Sequence, residues 1–357
     1  MQARYAIRDE LAMTHEKTLV QQARDAAALI EMYYERGWTD GLPVVPPHTD
    51  SLSAALAAAD LQENEILGEI PARNVQITAQ KVAVNAVLAG CLPEYMPVVV
   101  AAVRGICHPD YGYHGPATST GGAAVALIIN GPIGQRLGIN ARDNAFGPGF
   151  RPNATIGRAV RLLMMNTINT RPGELDRSTL GNPGKYSLCF GEDEESSPWE
   201  PLHVERGLGS EESAVTVFAT EGTHQVYNQL SKDPQELCIT MADAMANLGS
   251  MNIIGQQNVV VVFSGEHQEL FRRSGWTKPR VKQHLFDHAC RSIADIKRAG
   301  RMPGPLQEGD ETAHRHVVRV PDDILVISAG ARAGAFSACL PGWGNYRTTR
   351  AVTIPIT

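Results

Sequence analysis

The sequence predicts an α/β protein, with a helix-rich N-terminal half and a C-terminal half built on a mostly parallel sheet flanked by helices. Two observations carry that expectation. The first half reads in helical periods broken by Pro- and Gly-rich loops, whereas past residue 205 short β-branched runs, "AVTVFAT", "NVVVVFSG" and "DDILVISAG", alternate with helical segments such as "PRVKQHLFDHACRSIADIKRAG". Strands alternating with helices indicate βαβ units. At 357 residues the chain exceeds what one core usually serves, so two domains are expected, 1–207 and 208–357.

In order along the chain, residues 14–37 run from a Thr14 cap through helix formers to a Gly stop and predict one amphipathic helix. "WTDGLPVVPPHTD" then ends helical structure, because its prolines remove donors and hold the backbone extended. The Ala-rich residues 51–60 can resume a helix, and "TAQKVAVNAVLAG" (78–90) and "PEYMPVVVAAVRGI" (93–106) predict two more, with Cys91 in the turn between them. "GGAAVALIIN" (121–130) reads as a buried strand behind the Gly-rich run "HGPATSTGG". A second Gly-rich loop, "NAFGPGFRPN", feeds the helical pattern of Ile156, Val160, Leu163 and Met164. No sequence repeat at a fixed period is found.

Hydrophobic residues make up 43% and charged residues 20%, the balance of a folded globular chain, and the net charge of −6 comes with scattered Lys and Arg. Nothing in that pattern attracts nucleic acid or anionic lipid, and no run approaches the ~18 apolar residues of a membrane span. The leading segment "MQARYAIRDELAMTHEK" has no apolar h-region, so a cytoplasmic location is expected. The six cysteines form no CxxC pair or zinc-ribbon spacing, and most should be small buried apolar side chains.

The chemistry concentrates in "GNPGKYSLCFGEDEESSPWEPLH" (181–203), which sets Cys189 beside four acidic residues and ends at His203. Carboxylates hold a nearby thiol protonated, so Cys189 alone is a poor resting nucleophile. Two resolutions stay open. In one, Cys189 and Cys91, the latter in the turn that precedes a helix, act as nucleophile or acid and base, aided by Glu194, Glu195 and a histidine, for which His203 is a catalytic candidate. In the other, Cys189, Glu194 and His203 bind zinc or iron, and the cation deprotonates the thiol. His224 and His267 join the candidate catalytic residues because each follows a strand, where α/β sheets place ligands. The cluster Cys107, His108, Asp110 and His114 is expected to be an ordinary loop.

Thr118, Ser119 and Thr120 in the first Gly-rich loop, Gly149, Asn153, Thr155 and Arg158 at the second, and Arg332 in "SAGARAGAFSA" are the candidate substrate-binding residues. Their backbone and side-chain donors would hold an anionic group. The spacing of "SAGARAG" is not a dinucleotide fingerprint, so NAD is not expected, and the chain has no Walker A, GxSxG, HExxH or EF-hand pattern.

"TDGLPVVPP", "NAVLAGCLPEYMPVV", "NAFGPGFRPNATIGRA" and "GNPGKYSLCFGEDEESSPWEPLHVERG" resemble a bacterial family of hypothetical proteins associated with UGSC-motif thiol or selenol proteins, distantly similar to glycine-reductase components. The resemblance spans roughly residues 39–207 and implies a bacterial metabolic enzyme with thiol chemistry. Neither UGSC nor CGSC occurs in this chain, so no selenol-like role and no catalytic residue comes with it. The expected function is a small-molecule enzyme, a lyase or hydrolase acting on a carbon–heteroatom bond of an anionic substrate. The alternatives are a metal-dependent enzyme of the same class and a non-catalytic subunit of a thiol-dependent complex. A homo-oligomer is compatible with the apolar, helical first half.

Overall fold

The computed structural model describes residues 21–357 and has the α/β architecture expected. The predicted Thr14 cap lies outside the described residues, whose first element is helix α1 (21–35). Next come α2 (Thr49–Ala57), the hairpin β1 (Ile66–Ile70) and β2 (Val75–Thr78), α3 (Ala79–Ala89), α4 (Met96–Cys107) and α5 (His114–Thr118). The Thr78 hydroxyl caps α3, and Gly90 ends it at φ 92°, a left-handed conformation that suits glycine. The chain continues through β3 (Ala124–Asn130), α6 (Pro132–Leu137), α7 (Arg151–Asn166), β4 (Cys189–Gly191), α8 (Leu202–Glu205), β5 (Ala214–Thr220) and β6 (His224–Tyr227). The rest comprises α9 (Pro234–Met245), α10 (Asn252–Gly255), β7 (Val259–Phe263), α11 (Gly265–Arg273), α12 (Lys278–His288), β8 (Cys290–Ser292), α13 (Ile293–Arg298), β9 (His314–His316), β10 (Ile324–Ser328), β11 (Phe336–Pro341) and β12 (Val352–Pro355). The segment expected to be a single helix from Pro279 onward is therefore broken by β8, which pairs with β9.

Two four-stranded sheets organise these elements, β4-β3-β5-β12 and β10-β7-β11-β6. Their inner faces pack together through Ala126, Ile128, Phe190 and Phe218 from one sheet and Val260, Val262, Ile327 and Leu340 from the other. The outer face of the first, with Leu127, Ile129 and Val217, packs on α4 and α7, and α3 packs on those two helices. The outer face of the second, with Val259, Val261 and Val326, packs on α9 and α12. The result is four layers, helices, sheet, sheet and helices. Each sheet has one parallel pairing, β3·β4 or β7·β10, and two antiparallel ones, which corrects the expectation of a mostly parallel C-terminal sheet. Continuous apolar runs signal burial of both strand faces, and here the second sheet and the helices supply that burial whatever the strand direction.

The two halves share one topology. In each, a central strand leads to a parallel edge strand, β3 through α6 and α7 to β4 and β7 through α11, α12, β8, α13 and β9 to β10, and an antiparallel strand follows (β5 or β11). Ile128 faces Thr216 as Val262 faces Ala338. After β5 the chain crosses into the second sheet as β6, and after β11 it crosses back as β12. Four residues beyond Thr216 and Ala338, an isolated bridge joins Thr220 to Gly342. Around it Trp343 N–H donates to the Ala219 carbonyl at 2.9 Å, and Glu221 N–H donates to Pro341 at 3.0 Å. These two bonds exchange under the equivalence, so a pseudo-twofold axis passes through the bridge. The boundary expected at 207/208 does not separate the sheets, because β5 and β12 complete the first one from beyond it.

The acidic stretch after Cys189 straps the halves together. Asp193 N–H donates to the Ser328 carbonyl at 2.7 Å, Ser197 meets Ser328 at 2.9 Å, and the Trp199 ring enters the outer core of the second sheet beside Phe263 and Phe271. Further along, Glu205 lies between Lys278 and Lys282, both only 4% exposed. Removing one partner of a buried ion pair costs about 3–5 kcal/mol because the remaining charge stays desolvated. Glu205→Ala should therefore lower the unfolding free energy by about that amount in urea titrations; a loss below about 1 kcal/mol would mean that water solvates the two lysines.

Candidate functional site

Helix α7 is apolar where it packs on α3 and on the first sheet, through Ile156, Ala159, Val160 and Leu163, but it carries a polar stripe, Thr155, Arg158 and Arg161. Residues three apart on a helix are neighbours, so the three side chains form one row. Each end of the row meets a different chemistry.

At the N-terminal end is Cys91, in the turn after α3. Thr155, Arg151 and Arg158 surround its thiol, and Arg151 also donates twice to the Gly90 carbonyl, at 3.0 and 2.9 Å. Burial dominates and pushes the Cys91 thiol up to about 12 against the pull of Thr155 and the two guanidiniums. Cys189 lies deeper, packed in the core beneath the helices, and burial together with the nearby Cys91 raises its thiol further. The sequence reading attributed a protonated Cys189 to the neighbouring carboxylates; desolvation is the cause instead. A thiol at about 12 is ionised to roughly one part in 10⁵ at pH 7, and the thiolate is the reactive form. Iodoacetamide at pH 7.5 should therefore alkylate native Cys91 on the order of a thousand-fold more slowly than an unshielded cysteine, as followed by peptide mass spectrometry. Rapid labelling would show that the arginines prevail over burial.

In the middle of the row, Arg158 grips Asp40 of "TDGLP" through two bonds, at 2.8 and 2.7 Å, and donates to the Leu42 and Pro43 carbonyls at 3.1 and 2.9 Å. The donors of Arg158, expected to bind substrate, thus hold the Pro-rich segment against α7.

At the far end, Arg161 faces a cavity of about 490 Å³, whose wall includes Asp40, Asp176, Ser178, Asn182, Lys185 and Tyr186. Arg161 Nη2 and Lys185 Nζ both bond Asp176 Oδ2, at 2.9 and 2.7 Å. Lys185 Nζ also donates to Ser178 Oγ at 2.6 Å, and that hydroxyl donates to Asp176 Oδ1 at 2.6 Å. Burial opposes ionisation of Asp176, but the bonds from Lys185 and Ser178 outweigh it and hold the carboxyl well below the usual range. Burial and the Arg161 charge lower Lys185, with Asp176 pulling the other way. The floor of this site is rigid: Asn182 Nδ2 donates to the Gly122 carbonyl at 2.7 Å, and a Cβ on Gly122 would lie 2.6 Å from the Gly181 backbone.

Sequence reasoning missed Arg161, Asp176, Ser178 and Lys185. The polar stripe at three-residue spacing on an otherwise apolar helix face was the available signal. "GNPGKY" read only as a turn.

The predicted residues do not converge on Cys189. Glu194 accepts from Asn130 Nδ2 at 2.9 Å and Gly131 N–H at 2.7 Å, while Glu195 meets Arg142 at 2.5 Å on the surface. Both carboxylates, expected to be catalytic, are engaged by the strap. His203 is fully buried with its Nδ1 3.8 Å from Glu194, and His224 is exposed on an edge strand. His267 is a buried residue of α11, receiving the Ser337 hydroxyl at Nδ1 (2.6 Å) and reaching the Asn228 carbonyl through Nε2 (2.9 Å). It sits on the outer face of the second sheet and Cys189 on the outer face of the first, so the sandwich, two sheets ~10 Å apart, separates them. Among the described residues no three His, Cys, Asp or Glu side chains gather as metal ligands, so Cys189, Glu194 and His203 do not form the expected set.

The Gly-rich loops divide in the same way. Thr120 braces the cavity wall by accepting Thr179 N–H at 2.8 Å, whereas Thr118 and Ser119 bond their own loop. Asn153 exchanges two bonds with the backbone of Asn140, both 2.9 Å, and Thr155 returns to Arg151, so neither offers an anion its donors. Gly149 is exposed with open space around it. Arg332 is exposed beside a cleft of about 290 Å³ at the carboxyl ends of β7 and β10, whose wall includes Asn144, Gln225, Ser264 and Ser337 but, among the described residues, no titratable side chain. The cluster from Cys107 to His114 is the loop expected, with His108 Nδ1 accepting Asp110 N–H at 3.2 Å. No helix among the described residues is long and apolar enough to cross a membrane. Comparison with protein-family models, with curated proteins and with solved structures finds no match.

Proposed function

We propose that this chain is a small-molecule enzyme, a lyase or hydrolase acting on a carbon–heteroatom bond of an anionic substrate, and that it works in the cavity at the end of α7. One observation carries the reading: Lys185, Ser178 and Asp176 form a continuous hydrogen-bonded relay inside a cavity of small-molecule size. An amine of lowered pKa joined to a hydroxyl and a carboxylate can take up, pass and return a proton, which is what cleavage of such a bond requires. Arg161 supplies the charge that attracts an anion.

Cys91 stands at the other end of the same polar row, and its protonated thiol suits a hydrogen-bond donor or acid better than a resting nucleophile. Cys189 has the environment of a core residue and no role in this reading.

The test is a turnover screen over small carboxylic acids bearing hydroxyl, amino, ester or amide groups, run on the wild type and variants. Lys185→Met should lower kcat/KM by about 10²–10⁴, the usual worth of a positioned acid or base, with Cys189→Ser within a few-fold of wild type. Full activity in Lys185→Met, or total loss in a folded Cys189→Ser, would move the chemistry back to the thiols.

A further inference from the structure

The three charged groups at the cavity do not balance. Arg161 and Lys185 are both cations, and both bond the same oxygen of one carboxylate, Asp176 Oδ2. Side-chain exposures of 11%, 14% and 5% for Arg161, Lys185 and Asp176 leave little water to screen the surplus positive charge. Of the two cations only the lysine can shed its proton, since a guanidinium stays charged throughout the physiological range. Loss of that proton leaves a neutral Arg161–Asp176 pair beside a free primary amine at the cavity wall. Desolvation next to another cation is the established way of making a lysine nucleophilic.

Arg161 engages Asp176 through Nη2 alone, and among the described residues its Nε and Nη1 have no hydrogen-bond partner. That leaves part of its fork for a second carboxylate, for which guanidinium geometry is suited. An amine and an arginine bonded to one oxygen are also correctly spaced for a molecule whose carboxylate adjoins its reacting carbon.

Resting on the reading of this cavity as the working site, we propose that Lys185 forms an imine with the ketone carbon of a small 2-oxo carboxylate whose carboxylate is held by Arg161. The Nζ lone pair attacks the carbonyl carbon, and the carbonyl π pair moves to its oxygen. A proton passes from nitrogen to that oxygen through the Ser178 hydroxyl, giving a carbinolamine. One further proton from solvent lets the oxygen depart as water and leaves C=N⁺. The charges then balance: iminium and Arg161 against Asp176 and the substrate carboxylate. The iminium is an electron sink for breaking a bond to the neighbouring carbon, which connects the intermediate to lyase chemistry.

The full chain is incubated with pyruvate, 2-oxobutyrate or 2-oxoglutarate in the presence of cyanoborohydride, and the peptides are mapped by mass spectrometry. A reduced secondary-amine adduct should appear on Lys185 at least about ten-fold above any other lysine, fall about ten-fold in Arg161→Gln, and vanish in Lys185→Arg. No adduct with any of the three acids, or equal labelling of surface lysines, overturns the imine. Thermal unfolding with the same acids and no reductant separates the two readings. Saturable stabilisation that is lost in Arg161→Gln, without an adduct, removes the imine and leaves an anion-binding cavity. Neither stabilisation nor adduct removes both. Circular dichroism of each variant guards against a trivial loss of fold.

Discussion

Each sheet of this protein is completed by a strand that arrives from the other half of the chain, and the rest of the architecture follows from that exchange. β6 leaves the first half to finish the second sheet, β12 returns to finish the first, and the crossing segments pair with each other at Thr220 and Gly342. Neither half can form a complete four-stranded sheet alone. The inner core, shared between Phe190 and Phe218 on one side and Val262 and Leu340 on the other, has no water-facing alternative once the crossing is made. A chain of this length that looks like two domains is therefore bound into one folding problem, with its most non-local pairings at the centre. Such topologies form slowly, since loop closure must precede the contacts that reward it.

The acidic stretch is best understood as the counterpart of that crossing at the opposite end of the sheets. At one end the backbone exchange joins the halves, and at the other a charged strap does. Glu192 makes the point most clearly. It is 7% exposed, its Oε2 accepts from Asn130 Nδ2 at 2.6 Å and Leu202 N–H at 2.8 Å, and burial raises its pKa while Lys278 pulls it down. Acidic residues that looked like a solvated loop or a reagent for Cys189 are spent on backbone donors and arginine. The thiol beside them needs no electrostatic explanation, because the core around it already keeps it neutral.

What the sequence disclosed depended on how local the cause was. Helices α3 and α7 and strands β3, β7 and β10 were legible because apolar periodicity and Gly or Pro punctuation act within ten residues. The strand exchange was not legible, since nothing in "HQVY" or "VTIP" says which sheet a short strand joins. The structural repeat escaped for a related reason. The equivalent strands "AVALIIN" and "VVVVF" match in burial rather than in residue identity, and the halves differ in loop length, so no fixed period survives. At the candidate site, Cys91, Thr155 and Arg158 were picked for chemistry each could perform alone, and geometry kept them neighbours. Asp176, Ser178 and Lys185 are brought into one hydrogen-bonded set by a turn, and a turn signal is all their sequence displays.

Arg158 and Arg161 illustrate why that distinction matters for assigning function. They are three residues apart on one helix, with the same guanidinium and nearly the same burial, 14% and 11% exposed. Arg158 meets one carboxylate that no other cation among the described residues touches and fills its remaining donors with backbone carbonyls, so its charge is compensated and its fork occupied. Arg161 shares its carboxylate with a lysine and keeps donors in reserve. The same residue type therefore has its charge compensated at one position and shares a carboxylate with a second cation three residues later, and the anion site proposed above rests on that difference. The proposed site is chosen by that local excess of charge and of donors without partners among the described residues.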